Sequence, residues 1–444
     1  MRLRFLSFIL LISTLSYGQQ TAADYFEQGV SKTRAGNYTG ALSDFSRSIA
    51  MNPQNAQSYY NRGLAKQALK DHRGAVLDFD KSIGMNSREP LAYLYRGISK
   101  SEQDEPRSAI QDFNRCIELK PDDTYSYLQR GFTLTKLEEF EMAISDFNRV
   151  IELNSDKSSS YQAFFSRGLC KSKLGDFKNS ISDFSKSIDI NPKRSQTFSE
   201  RGFGYLQVGE FAKAISDFDE ALELNPNNGE SFYSRGFAKA KLGDYVGAKS
   251  DFDAALKVNP SDIKALYGRG FCYSKLNNQR NAIQDLDKAI SFNNPNLDSK
   301  VYYSGIMPED KLTVLRNAVV ENISISSFSE NRSEAYYLRG LAHFKSGRNK
   351  DALEDLTAAI DLRPGLATAH FARGLVRSSE GLQKEAMIDL TNAITINLFY
   401  KEAYYVRGLI EHALGDSNAG CFDLSKSGEL GYVQAYDVIK DYCN

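Results

Sequence analysis

The chain has 444 residues, 41% of them hydrophobic and 25% charged, which excludes a disordered polymer and supplies apolar material for more than one ordinary domain. Lys and Arg total 55 against 56 Asp and Glu, a formal charge of -1. That balance provides no strong field for nucleic acid or anionic membranes, and neither is expected as a partner.

The first residues differ in kind from the rest. Arg2 and Arg4 precede the apolar run from Phe5 to Leu15, and Ser16-Tyr17-Gly18 supplies small residues where a signal peptidase cuts. Residues 1–18 therefore read as a signal peptide, cleaved after Gly18. The run is too short for a permanent anchor, which needs about 20 apolar residues, and no integral membrane segment is expected after cleavage.

From Thr21 onward the chain repeats itself. Arg-Gly recurs at Arg62-Gly63, Arg96-Gly97, Arg130-Gly131, Arg167-Gly168, Arg201-Gly202, Arg235-Gly236, Arg269-Gly270, Arg339-Gly340, Arg373-Gly374 and Arg407-Gly408. The interval is 34 residues except for one of 37, with extra residues near Ser158-Ser159-Ser160, and one of 70. Gly29 and Gly305 supply two further repeat positions, for about twelve units. Within residues 229–260, Phe232, Gly236 and Ala240 fall on one face of a first helix, and Leu242-Gly243-Asp244-Tyr245 makes a turn. Ala248, Phe252 and Ala255 mark a second helix, which Asn259-Pro260 stops. A glycine inside the first helix costs about 1 kcal/mol against alanine and makes sense where two helices approach closely.

These residues resemble the tetratricopeptide repeat (TPR) family: an aromatic, a glycine four residues on, an alanine opening the second helix, a large residue, a small one and the Asn-Pro stop. Tryptophan is absent, with Tyr or Phe usually in the first aromatic place. The resemblance implies an all-α fold, a right-handed α-solenoid superhelix of about twelve helix-turn-helix units. The array is expected over residues 22–297 as units 1 to 8, with a degenerate unit at 298–332, where Pro308 intrudes into the first helix, and units 10 to 12 at 333–434. Residues 435–444 are expected to form a capping helix, with Tyr436 and Ile439 on its apolar side and Lys440 on the wet one.

The regular Arg and the equally regular Asp at Asp44, Asp78, Asp112, Asp146, Asp183, Asp217, Asp251, Asp285, Asp355, Asp389 and Asp423 are expected to pair as a structural ladder. Cys116, Cys170 and Cys272 occupy small-residue positions and read as inert packed thiols. Cys421 and Cys443 are a candidate disulfide, equally able to stay reduced, that would clamp the terminal helix in an exported chain. His72, His343, His370 and His412 are scattered, so no metal site and no cofactor are expected, and no motif for catalysis is present.

By resemblance, the first helices line a concave groove, and the residues three before and one after each repeat glycine point into it. The first set includes Tyr60, Phe165, Tyr233, Tyr267, Tyr337 and Tyr405, and the second includes Phe132, Phe203, Phe237, Phe271 and Leu341. The run Phe203, Tyr233, Phe237, Tyr267, Phe271 is the candidate partner-binding site, against the alternative that such rings pack between adjacent helices. The carboxylate clamp of some family members is not expected, because only apolar residues follow the glycines. Lys173, Lys241, Lys275 and Lys345 either add a basic edge or are solvated helix-surface lysines. The expectation is a non-catalytic scaffold or adaptor holding a peptide or protein, periplasmic or extracellular in a Gram-negative bacterium. A carbohydrate-binding or cell-wall-organising module is the alternative.

Overall fold

A computed structural model of the chain describes residues 20–153, 156–292 and 332–443. Among the described residues there are 23 helices and no strand, in an array of antiparallel helix pairs: an all-α solenoid. The chain divides into two compact units between Pro192 and Lys193. The first holds five pairs: α1 (Ala22–Arg34) with α2 (Tyr38–Met51), α3 (Ala56–Ala68) with α4 (His72–Met85), α5 (Pro90–Glu102) with α6 (Pro106–Leu119), α7 (Thr124–Lys136) with α8 (Phe140–Leu153), and α9 (Lys157–Lys173) with α10 (Phe177–Ile190). The second opens with α11 (Ser195–Gln207), α12 (Phe211–Leu224), α13 (Gly229–Lys241), α14 (Tyr245–Val258), α15 (Ile263–Lys275) and α16 (Gln279–Ser291). It continues with α17 (Arg332–Lys345), α18 (Asn349–Leu362), α19 (Ala367–Ser379), α20 (Gln383–Ile396), α21 (Lys401–Ala413), α22 (Ser417–Glu429) and α23 (Gln434–Tyr442). The expected signal peptide, residues 1–18, lies outside the described residues.

Local chemistry sets the helix ends. At the start of α1, Thr21 and Asp24 bond each other's backbone N–H groups in a capping box. The turn within each pair has one residue with positive φ, which is Gly36, Gly175, Gly209, Gly243, Gly347, Gly381 or Gly415 in seven pairs and Lys70, Asp104, Glu138 or Asn277 in the other four. In several pairs the next residue caps the second helix with its side chain, as where Asp244 Oδ1 accepts from the N–H of Gly247 at 2.9 Å. The 37-residue interval contains a longer first helix, α9, of 17 residues, where α7 has 13.

The helical glycine is a packing device. An added Cβ at Gly29, Gly63, Gly97, Gly131 or Gly168 would meet the ring of Phe45, Phe79, Phe113, Phe147 or Phe184 at 2.6–2.8 Å. Each of these rings is fully buried between the two helices of its pair, so the glycine lets the pair close around the ring. Within each unit, a second helix also packs on the first helix of the following pair, and successive first helices touch. Each pair is thus held by its nearest neighbours.

The 70-residue interval has a specific structural outcome. α16 packs directly on α17, and Arg339 Nη1 bonds Asp287 across 52 residues, where the same bond from Arg269 to Asp253 spans 16. Among the described residues, α17 and α18 therefore take the place next to α15 and α16. Residues 298–331 of the expected degenerate unit lie outside the described residues.

At the C-terminal end α23 packs on α22, and Cys421 and Cys443 form a disulfide with their Cα atoms 5.7 Å apart. The ring of Tyr432, just before α23, lies 4.9 Å from that of Tyr405. Ala435 is the buried residue of α23, and Val438 and Ile439 are half-buried. Tyr436, expected on the apolar side, is exposed. No helix among the described residues is long and apolar enough to cross a membrane.

Candidate functional site

The most regular charges are consumed by the fold. Each of the ten repeat arginines, from Arg62 to Arg407, donates through Nε and Nη2 to both oxygens of the aspartate sixteen residues on, at 2.5–3.0 Å. The aspartates are buried and could not remain charged there without such partners.

Two further features were not legible in the charge count. The remaining guanidinium nitrogen reaches back to the preceding pair, as in Arg96 to Asp80, Arg130 to Asn114, Arg235 to Asp219 and Arg373 to Thr357. A second cation three residues after the glycine closes several aspartates: Lys66 on Asp78, Lys100 on Asp112, Lys171 on Asp183, Lys239 on Asp251 and Arg377 on Asp389. Its recurrence at the repeat period was the available signal.

Five pairs depart from this pattern, with Leu134, Tyr205, Tyr273, His343 and Glu411 at that position. Leu134 stands at the second-cation position near Asp146, and burial pushes the Asp146 carboxyl above its ordinary range despite Arg130. In the last pair Glu411 stands there instead, and burial together with Asp423 pushes its carboxyl up.

The candidate aromatic run lies wholly in the second unit, and its members differ in accessibility. Phe203, on α11, is 41% exposed, while Tyr233 and Phe237, on α13, are half-buried. Tyr233 packs 5.9 Å from the Phe252 ring. Tyr267 and Phe271, on α15, are only 6% and 2% exposed. The Tyr267 hydroxyl donates to Glu334 of α17 at 3.3 Å, and Phe271 meets Tyr245 at 5.9 Å. Both share a core cluster with Tyr337, Leu338 and Leu341 of α17.

Of the five candidate residues, Tyr267 and Phe271 thus follow the alternative of rings packed between helices. Direct contact between α15 and α17 turns Tyr267 and Phe271 into core, leaving Phe203, Tyr233 and Phe237 as the accessible part. Phe165, Tyr337 and Leu341, from the wider set, are buried in the same way. Sequence spacing puts all these residues on first helices but carries no record of which neighbour covers each ring.

Cys116, Cys170 and Cys272 are reduced and buried. Burial pushes the Cys272 thiol up to about 12, which keeps it protonated and unreactive at neutral pH.

Comparison with known proteins agrees with this architecture. Models described as tetratricopeptide repeat match residues 26–90, 124–157, 161–194, 195–228, 263–296 and 333–366, together more than half of the chain. No curated protein matches the sequence.

Several solved structures are similar at low identity. YrrB, a TPR protein whose structure is described as having an unusual peptide-binding site, is 20% identical over 43% of this chain and 97% of its own, with TM-score 0.40. The C-terminal part of a TPR repeat-containing protein from Cytophaga hutchinsonii is 17% identical over 55% of this chain and 98% of its own, with TM-score 0.47. A chain of the APC/C hetero-tetramer Cut9-Hcn1 is 12% identical over 95% of this chain and 96% of its own, with TM-score 0.46. A helix pair repeated every 34 residues, closed on an internal glycine and matched by these family models, makes this chain a member of the tetratricopeptide repeat family.

Proposed function

We propose that this chain is a non-catalytic scaffold that holds an extended peptide or a protein surface on the first-helix face of its second unit. The observation that carries the reading is the accessible group Phe203, Tyr233 and Phe237, beside a charge ladder already occupied with its own structure. Large rings held on rigid helices lose little freedom on binding, which is why such groups form the centres of interfaces. The compartment follows from the first eighteen residues: an exported chain, working in the periplasm or outside a Gram-negative cell.

The test is capture from an envelope fraction with the mature protein, in parallel with the Phe203→Ala, Phe237→Ala variant, whose helix content is checked by circular dichroism. Proteins retained by the parent and lost from the variant support the proposal and identify the partner. Identical captures refute it. Capture that is competed by a soluble polysaccharide transfers the site to the carbohydrate-binding alternative. For export, protein purified from the envelope should begin at Gln19 by N-terminal sequencing, and an intact Met1 would overturn that assignment.

A further inference from the structure

We infer that the turn edge of the last three pairs is a self-association surface, on which a second copy of this chain seats to form a two-fold dimer. The turn between α20 and α21 carries the observation. After its Asn397 come Leu398, 63% exposed, and Phe399, 77% exposed. The turns after Asn52, Asn225 and Asn259 carry Pro53-Gln54, Pro226-Asn227 and Pro260-Ser261 in those places.

The turn itself does not require apolar side chains. The Phe399 N–H donates to Asn397 Oδ1 at 3.1 Å, and the N–H groups of Gln54, Asn227 and Ser261 donate to Asn52, Asn225 and Asn259 in the same way at 3.2–3.3 Å. Nor does the core use them. The next residue, Tyr400, is the buried one, and its ring lies 4.9 Å from that of Phe371 on α19. Phe399 thus stands on a turn fixed by backbone bonds with its ring in water, and it loses little freedom on binding.

Other apolar side chains continue the edge. Leu362 and Ile396, which end α18 and α20, are exposed, as are Val433 and Tyr436 at the start of α23. Consecutive pairs bring these places together. Ser427 of α22 donates to the Lys401 carbonyl at 2.8 Å, and the Tyr436 ring lies against Gly428, where an added Cβ would meet its Cζ at 2.9 Å.

An aromatic residue can bury about 150–250 Å², and these six residues at their exposures offer roughly 600 Å². That is the upper end of what a monomer leaves in water in one patch, about 300–600 Å². Two such patches closed on each other bury roughly 1,200 Å², where stable interfaces begin. A formal charge of -1 adds no net repulsion between copies, and a patch that is apolar throughout is complementary to itself. The edge shares no residue with the aromatic group on α11 and α13, so the two readings stand or fall separately.

Sedimentation equilibrium of the mature full-length protein from about 1 to 100 μM tests this. In one variant, Leu398→Pro with Phe399→Asn, the turn copies Asn225-Pro226-Asn227, a sequence this chain already folds around. A second variant is Phe399→Asp, and Val246→Asp, at an exposed residue of α14, is the control. Circular dichroism and hydrogen exchange of α20 and α21 check the fold of each.

The parent should show a monomer–dimer equilibrium in this range. Both Phe399 variants should weaken it roughly thirtyfold or more, the effect of removing an aromatic from an interface centre, and the control should leave it unchanged. A parent that stays monomeric throughout overturns the inference, as does undiminished dimerisation in the folded turn variant or an equal loss in the control. Envelope proteins captured by a monomeric parent and lost from Phe399→Asp would assign the edge to another partner and overturn the second copy as its occupant.

Discussion

Replacing Gly131 by alanine sets two effects against each other. In an isolated helix the change gains about 1 kcal/mol. In α7 the new methyl would lie 2.7 Å from Phe147 Cε1 and 2.9 Å from its Cζ, and that ring is fully buried with no free direction in which to move. Overpacking of this kind costs about 1–3 kcal/mol, so the expected net effect is a loss of about 1 kcal/mol from this pair.

The same substitution at Gly374 meets Leu390 Cγ at 3.2 Å and the Ala386 carbonyl at 3.3 Å, contacts that a few tenths of an ångström of adjustment relieve. There the propensity gain roughly cancels the crowding, and stability should stay within about 0.5 kcal/mol of the parent. Because a repeat array opens locally, the measurement is hydrogen exchange of the α7–α8 and α19–α20 amides in the full chain rather than one global melting temperature. Faster exchange in α7–α8 for Gly131→Ala, little change in α19–α20 for Gly374→Ala, and recovery of the former by Phe147→Leu are the expected results. Slower exchange in Gly131→Ala, or an equal loss at both sites, would refute the close-approach account of the repeat glycine.

Arg130→Ala leaves Asp146 buried beside Leu134, and should cost about 3 kcal/mol locally at neutral pH, eased on acidification as Asp146 takes a proton. Arg235→Ala, which leaves Lys239 on Asp251, should cost less, and urea titrations followed by exchange of α7–α8 and α13–α14 compare the two. The Glu411 carboxyl has a folded pKa raised above its ordinary value, so its favourable contribution is full below the unfolded pKa and is lost as pH rises through the folded one. Glu411→Lys should therefore stabilise α21–α22 at neutral pH by up to ~1 kcal/mol and remove that gain on acidification; a thermal melt series from pH 4 to 8 would show no difference if this assignment is wrong. Cys421→Ser with Cys443→Ser opens a loop of 22 residues, for which chain entropy gives about 3 kcal/mol. Exchange of α23 should rise in that variant with other pairs unchanged, and an unaltered α23 would mean that the Tyr405–Tyr432 contact holds the cap by itself.

The 34-residue period, the helix pairs, the close-approach glycine and the pairing of Arg with Asp were all legible in the sequence. Each records a contact that every unit must make with itself or its neighbour, and repetition makes such contacts visible. The Cys421–Cys443 pair was legible only as an open choice, which the approach of α23 to α22 settles. Three things were decided by tertiary structure alone. The long interval ends with α17 packed on α16, so the residue that Arg339 reaches in the preceding pair is Asp287, 52 residues away. That packing buries Tyr267 and Phe271 while Phe203, at an equivalent repeat position, stays exposed. The half-burial of Lys241, Lys275 and Lys345 separates them from Lys136 and Lys173, which the sequence pattern treats alike. Repeat spacing specifies a residue's position on its own helix, whereas its access to water and to a partner depends on which other helix lies against it.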